Sequence, residues 1–423
     1  MSLNFGLVAG QLQDFSRRLT AEERQRQRRL ERASQELKRS AAHPDDLSRR
    51  IDTARTRWLL ARPMAEPPDG HYSEPQHPTS YVVLATDGSH IDVDRHIPVR
   101  CYLLNLGWAC IGYGAYTHLT TLDSQPSLSF TDEELTFGDD RDISYEERVA
   151  GSILSALRSA REMELLASLI EGLPPDVPTL ALLDGTLVLW GLSLGSVSSR
   201  ARNRLLDEGV LAALERLRWL ASQRPLVVAS YISYPGSAEV TNALRLAVCP
   251  MGRQPCRDHG MVHPAVDCGH CPGNGHRPCD EVAGGTDRRL FQQLLDAGER
   301  SATFQRHPAG RESVYSLYCQ QGHALAFFYL RMPEGVPDEV ARVEMPIWNA
   351  QDSERVRLAH ALLLDQCRRG LGYPVAIMEA HEQAVISGAD REVFRQLLED
   401  TLAQQHSDLA TSAKSRSKRG RWL

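Results

Sequence analysis

Through residues 9–62 apolar positions recur at helical spacing: Leu12, Phe15 and Leu19 share one face, as do Leu30, Ala33 and Leu37. Glu, Arg, Gln and Leu dominate the stretch, and Pro44 is its one proline. Thr20-Ala21-Glu22-Glu23 has the form of a capping box. The pattern predicts an N-terminal helical arm over residues 1–62. Pro63, Pro67, Pro68, Pro75 and Pro78 then predict a linker over 63–80.

From residue 81 the pattern changes to short apolar runs. "YVVLATDGSH" (81–90), "TLALLDGTLV" (179–188) and "RPLVVASYISYPGS" (224–237) read as strands, and "RCYLLNLGWACIGYG" (100–114) as one long strand or a hairpin. "SVYSLYC", "ALAFFYLRM" and "VARVEMPIW" read as three more, and "YPVAIMEAH" as a short one. Helices are expected over 143–171, opened by the capping box Ser144-Tyr145-Glu146-Glu147, near 353–369, and over 389–404. Strands, then a helix, then a strand carrying a second acid make an α/β order. It suits an RNase H-like core, a mixed sheet with flanking helices, in one domain over 81–405. Periodicity alone does not fix that order.

Composition narrows the setting. A chain of 423 residues with 42% hydrophobic and 24% charged residues has a soluble globular make-up and room for a substantial core. Its formal charge is only −6, so a nucleic-acid partner must meet local positive charge. Two places offer it: Arg24, Arg26, Arg28, Arg29 and Arg32 on the arm, and a basic tail over 406–423 that ends in "TSAKSRSKRGRWL". No run of 18 apolar residues exists, so no membrane helix is expected, and "MSLNFGLVAGQLQDF" is not a secretory signal. Nine cysteines are too sparse for a disulfide scaffold, which predicts a cytoplasmic protein with reduced thiols. No internal repeat is visible.

The chemistry concentrates at strand ends. Twice a buried strand runs into an aspartate, a glycine and a hydroxyl residue: Asp87-Gly88-Ser89 and Asp184-Gly185-Thr186. Asp-Gly is also a common hairpin turn. A strand end, however, fixes a carboxylate as a metal site requires, and the glycine lets another group come close. Mg²⁺ and Mn²⁺ want several oxygen ligands, so a third acid should converge. Glu164 falls beside Val149, Ile153, Leu157, Ala160 and Ala167 on the apolar stripe of helix 143–171, whereas Glu162 falls near Ser155, Arg158 and Ser159. Glu164 is therefore the expected third ligand. His381, at the end of "YPVAIMEAH", is a candidate for a metal or a leaving group. Tyr231 and Tyr234 end another strand and are candidates for orienting water or phosphate.

Taken in order, "DGS", an acid-bearing helix, "LLDGTLV", "SYISYPGS", "RVEMPIW" and "GYPVAIMEAHEQAVI" make the chain resemble the NurA nuclease family over roughly residues 78–395. The resemblance implies an RNase H-like, metal-dependent DNA nuclease for end processing, of 5′–3′ exonuclease and single-strand endonuclease type. It implies a ring-like homodimer partnered by HerA, a hexameric ATPase. Catalytic roles would fall on Asp87, Glu164, Asp184, Tyr231 and His381, with two Mn²⁺ or Mg²⁺ ions on Asp87, Glu164, Asp184 and His381. The sequence has no Gly-Lys dipeptide and so no Walker A loop, which leaves motor work to a separate ATPase.

One region departs from that pattern. Residues 249–280 form a Cys/His-rich insertion with Cys249, Cys256, Cys268, Cys271 and Cys279, and His259, His263, His270 and His276. Cys256-x2-His259 and Cys268-x2-Cys271 read as two zinc half-sites, with Cys279 or Cys249 as alternatives to His259. A structural Zn²⁺ is expected there; an iron–sulfur cluster or a metal-free loop are the alternatives. Two other functions compete with the nuclease. One is a non-catalytic DNA-binding or scaffold subunit of a HerA-like complex, in which the acids only cap strands. The other is a glycosidase with paired carboxylates, which would survive chelation.

Overall fold

The computed structural model of the protein describes residues 4–92, 99–138, 146–192, 197–251, 266–271, 277–307 and 313–404. The basic tail (406–423) lies outside the described residues, as do Cys256 and His259. The chain divides into two compact units. One comprises Met1–Glu74, Ile232–Arg311 and Ala324–Glu344; the other comprises Pro75–Tyr231, Glu312–His323 and Met345–Leu423.

The second unit is built on a mixed sheet with flanking helices. Its strands run Tyr81–Ile91, Tyr102–Tyr113, Thr121–Ser129, Thr179–Asp184 and Leu226–Ile232 along the chain. In space the third, second and first lie side by side, then the fourth and the fifth. The first three form an antiparallel meander, with Tyr81 opposite Tyr113 and Tyr102 opposite Ser129. The last two are parallel to the first, with Val82 opposite Thr179 and Thr179 opposite Leu226. Parallel strands are covered on both faces and read as unbroken apolar runs. Accordingly Tyr81–Thr86, Thr179–Leu183 and Leu226–Tyr231 are buried throughout. Helix Ser152–Glu171 packs on strand Tyr81–Ile91. Helix Val375–Ala384 lies across Tyr81–Ile91 and Tyr102–Tyr113.

The first unit holds the predicted arm. It begins with a 37-residue helix, Phe5–Ala41, followed by helix Pro44–Thr53 and strand Leu60–Pro63. Only one of the two apolar faces foreseen on the long helix is buried. Leu30, Ala33 and Leu37 pack with Val240, Leu244, Leu290 and Phe291, whereas Leu12, Phe15 and Leu19 are exposed. Strand Leu60–Pro63 pairs with Phe304–His307, which pairs with Leu325–Arg331. Within the stretch anticipated as a linker, His71–Tyr72 pairs with Arg300–Ser301. A closed charge network lies inside this unit. Arg306 Nη2 lies 2.9 Å from Glu239 Oε1 and 2.9 Å from Glu344 Oε1, and Arg342 Nη2 lies 3.0 Å from Glu239 Oε2 and 3.0 Å from Glu344 Oε1.

Two strand expectations are overturned. "YPVAIMEAH" is helical, within Val375–Ala384, because Ala376, Ile377, Ala380 and Ala384 recur at helical spacing and all are buried. "SVYSLYC" is the helix Val314–Gln320: Ser313 caps it by accepting from the Ser316 amide, and Val314, Tyr315 and Tyr318 form its buried face. The helix expected from 143 begins at Ser152, after Gly151 at φ 57°, and Glu146–Arg148 is a strand paired with Thr136–Gly138. Helices Ala212–Gln223, Glu239–Val248 and Asp287–Leu294 were not foreseen.

The charge network yields a stability prediction. Arg342→Met leaves Glu239 and Glu344 under-compensated at a fully buried position and should cost about 3–5 kcal/mol. Equilibrium urea unfolding measures this, and a loss below about 1 kcal/mol would show that the guanidinium is dispensable to the fold.

Candidate active site

The parallel register decides where the two Asp-Gly motifs meet. Thr86 is opposite Leu183, so one further step brings Asp87 beside Asp184 at adjacent carboxyl ends of strands. That edge is where open α/β sheets bind ligands. Asp184 is in turn opposite Tyr231 on the next strand, and Gly185 N donates to Tyr231 O at 2.9 Å.

Two glycines open the space around Asp87. Gly107 is directly opposite Asp87, and a Cβ there would stand 2.4 Å from Ala384 N and 2.7 Å from Ala380 O. Its bare backbone lets helix Val375–Ala384 lie close to the sheet. Asn105 Nδ2 donates to Ala384 O at 2.9 Å and Ser89 Oγ donates to the same carbonyl, which holds the helix end in place. His381 Nδ1 thereby reaches Asp87 Oδ2 at 2.7 Å. A carboxylate only accepts, so this pairing places the proton on Nδ1 and leaves Nε2 as the outward-facing nitrogen. Gly88 does the same on the other side. A Cβ there would meet Glu162 Oε1 at 2.7 Å and Arg158 Cγ at 2.9 Å.

Glu162 is the third acid. Its side chain is 12% exposed, and Arg158 Nε stands 3.2 Å from Oε1. Oε1 is nevertheless buried without a hydrogen bond. Burial pushes the Glu162 carboxyl up to about 8, with Asp87 and Asp184 adding to the rise and Arg158 opposing it. Arg158 Nη1 also donates to Gly88 O at 2.8 Å, which ties the helix to the strand end. Tyr373 OH donates to Asp184 Oδ1 at 2.8 Å. Burial, then Asp184, raises the Tyr373 hydroxyl, so it stays a neutral donor.

The structure thus sets Asp87 beside Asp184 in the register and His381 against Asp87, and on the long helix it buries Glu162 rather than Glu164. Glu164 is 33% exposed and paired with Arg161 at 2.6 Å, while Glu162 points into the site. The buried face is broad, running through Leu154, Ala160, Met163, Leu166 and Ile170, and Glu162 lies one turn from both Arg158 and Leu166 within it. Tyr231 is fully buried and meets the Tyr373 ring edge-on at 5.4 Å between centroids. Tyr234 is exposed at φ 49°, with the Arg288 guanidinium over its ring. Tyr373 was missed although it opens the quoted "YPVAIMEAH" segment; its signal was an aromatic hydroxyl one residue before a helix-starting proline. Among the described residues, no group of three or more His, Cys, Asp or Glu is placed to hold a metal ion. Nor is any described helix long and apolar enough to cross a membrane.

Comparison with known proteins bears on this arrangement. A family model described as the NurA domain matches residues 81–386. Among solved structures, the NurA nuclease from Sulfolobus solfataricus aligns over 81% of this chain and 89% of its own, at 13% sequence identity and a TM-score of 0.45. No curated protein matches.

The protonated Glu162 gives a pH prediction. A folded-state value near 8 lies above the ordinary 4.5, so the native state holds a proton that the unfolded state releases first. In EDTA, stability should therefore decline as pH rises from about 4.5 to about 8. Glu162→Gln mimics the protonated acid and should flatten that decline. Thermal melts across this range check it, and parallel curves for both proteins would rule out a proton on Glu162.

Proposed function

The chain belongs to the NurA family, and from that premise we propose that it is a metal-dependent DNA nuclease. The observation that carries the reading is Glu162, buried within the electrostatic reach of Asp87 and Asp184 and with an unbonded Oε1. Carboxylate oxygens are the donors that a hard divalent cation takes, and a cation would have to draw these acids closer, since no three of them stand around one point among the described residues. The strand order, an antiparallel meander followed by two parallel strands, supports an RNase H-like core within a nuclease domain over 81–405.

In this reading Asp87, Glu162 and Asp184 would hold two Mn²⁺ or Mg²⁺ ions. Bound ions would supply an activated water and charge stabilisation for phosphodiester hydrolysis. The chain's own groups set the stage. Asp87 fixes the His381 ring, so that Nε2 is aimed outward to meet a phosphate or carry a proton. Tyr373 holds the Asp184 carboxylate in one orientation, and Tyr231 acts through the Tyr373 ring as a positioning residue. Arg158 keeps Gly88 and Glu162 in register. Glu162 must give up its proton to bind a cation, so metal affinity should rise with pH up to about 8.

The wider role follows the family. The chain lacks a Walker A loop, so we assign the motor to a HerA-like hexameric ATPase and read the nuclease as a cytoplasmic homodimer that resects DNA ends for repair. The cleavage mode we propose is 5′–3′ exonuclease with single-strand endonuclease activity.

The test is an assay on linear, end-labelled DNA with Mn²⁺, Mg²⁺ or EDTA, alone and with the ATPase. Asp87→Ala and Glu162→Gln should each lose at least about 100-fold in rate, and EDTA should abolish cleavage. Glu164→Gln should stay within about threefold of wild type, as expected of a surface ion-pair residue. Cleavage by Asp87→Ala at the wild-type rate would sink the assignment. No cleavage by the wild type, even with the ATPase, would favour a scaffold subunit.

A further inference from the structure

Helix Ser353–Arg369 runs out into Gly370-Leu371-Gly372-Tyr373. Its end has the Schellman form, with Gly372 N donating back to Cys367 O at 2.7 Å. In that form the residue before Gly372 turns into the left-handed region, a position that ordinarily falls to glycine because a Cβ is penalised there. Here it is Leu371, at φ 55°. Glycines stand on either side, so the chain sets its smallest residue next to the strained position and a large one in it.

No burial offsets that strain. Leu371 is 79% exposed, more than any other large apolar residue among those described. One other described non-glycine residue, Tyr234, has a positive φ, and its neighbours account for it: Glu339 Oε1 accepts from its amide at 2.6 Å, and the Arg288 guanidinium lies over its ring. The turn that carries Leu371 is tightly closed. Tyr373 N donates to Gly370 O at 3.3 Å, and a Cβ on Gly370 would stand 2.0 Å from Tyr373 O. Tyr373 also anchors the turn to the site, since its hydroxyl donates to Asp184 Oδ1 and its ring meets Tyr231. The exposed leucine therefore stands two residues from a side chain bonded to a strand-end acid.

A strained leucine that faces water on a closed turn gains nothing from this chain's own core. It is shaped to enter something else. Leucine is among the apolar side chains that proteins drive between stacked base pairs, parting them. Arg368, in the last turn of the same helix, is exposed and brings positive charge to the neighbourhood of the turn, as a phosphate backbone requires. We propose that Leu371 is a wedge that enters the end of a DNA duplex, packs against the terminal base pair and separates the two strands beside Asp184. This role rests on the nuclease reading for its substrate, and adds to it the means by which a paired end is opened.

The experiment sets 2-aminopurine, which brightens when it unstacks, in the terminal base pair of a blunt duplex and follows its fluorescence with the full chain in EDTA, with binding read separately by anisotropy. The wild type should brighten the probe severalfold at saturation, Leu371→Met should keep the rise, and Leu371→Gly should lose most of it. Glycine suits the left-handed backbone, so Leu371→Gly should melt no lower than the wild type and about 1–2 °C higher, which separates the loss from misfolding. With Mn²⁺, Leu371→Gly should cleave the blunt duplex at least about tenfold more slowly, yet cleave a single strand within about twofold of the wild type. A wild type that binds the duplex without brightening the probe would overturn the wedge and leave the nuclease reading intact. Wild-type rates for Leu371→Gly on the duplex would overturn it too, as would an equal fall on both substrates, which would make the residue a support for Tyr373. So would a wild type that binds no duplex end. The nuclease reading fails by its own test, cleavage by Asp87→Ala, whereas the fluorescence in EDTA needs no cleavage.

Discussion

The candidate site depends on one register. Strands Tyr81–Ile91 and Thr179–Asp184 are parallel and in step, so two motifs nearly a hundred residues apart end side by side. Side chains alternate faces along a strand, so a slip of one residue would turn Asp87 away from Asp184. Buried apolar residues on both faces forbid that slip. Once the strand ends are fixed, missing Cβ atoms decide what else can approach. Gly107 admits the helix that carries His381, and Gly88 admits Glu162 and Arg158. Neither glycine adopts a conformation closed to other residues; what each supplies is room.

That geometry brings like charges together at a cost. Asp87 and Asp184 both press on Glu162, whose neighbouring guanidinium is Arg158, and burial pushes the Glu162 carboxyl up to about 8. The proton is a local answer to crowded negative charge. It is also exchangeable: raising the pH through about 8 would release it. Arg158 serves both states, since its contact with Gly88 O does not involve the acid. Tyr373 contributes a donor with no charge of its own, which steadies Asp184 without cancelling the negative field.

Much of this was legible in the sequence. Apolar runs ending in Asp-Gly-Ser and Asp-Gly-Thr gave the strands and two of the acids, because a buried parallel strand has little freedom in composition. The third acid was harder. Helical periodicity assumes one narrow apolar stripe, whereas helix Ser152–Glu171 is covered over a broad face, and Glu162 lies inside that face while Glu164 stays at its edge. His381 was expected at the end of a strand and lies on a helix, where it meets Asp87. The run "PVAIMEA" satisfies both strand propensity and helical spacing, and only packing against Gly107 settles which one forms. Tyr373 carried only a weak signal, a hydroxyl-bearing ring one residue before the proline that starts a helix. The two compact units, each assembled from segments far apart in the chain, lie beyond any local pattern.

The fold itself supplies a standard for telling structural acids from functional ones. In the first unit Glu239 and Glu344 are buried against Arg306 and Arg342, two charges against two, each within 3.0 Å. Asp287, also buried, is satisfied differently. It accepts from Val240 N, Thr241 N, Thr241 Oγ1 and Tyr329 OH, which spreads its charge over the first turn of a helix. Acids that serve only the fold are therefore closed accounts of charge or hydrogen bonds in this molecule. At the strand ends the same chain leaves the buried Oε1 of Glu162 without a hydrogen bond, although Arg158 Nε stands 3.2 Å away. That open oxygen, rather than the more deeply buried network, marks the strand ends as the place to test for chemistry.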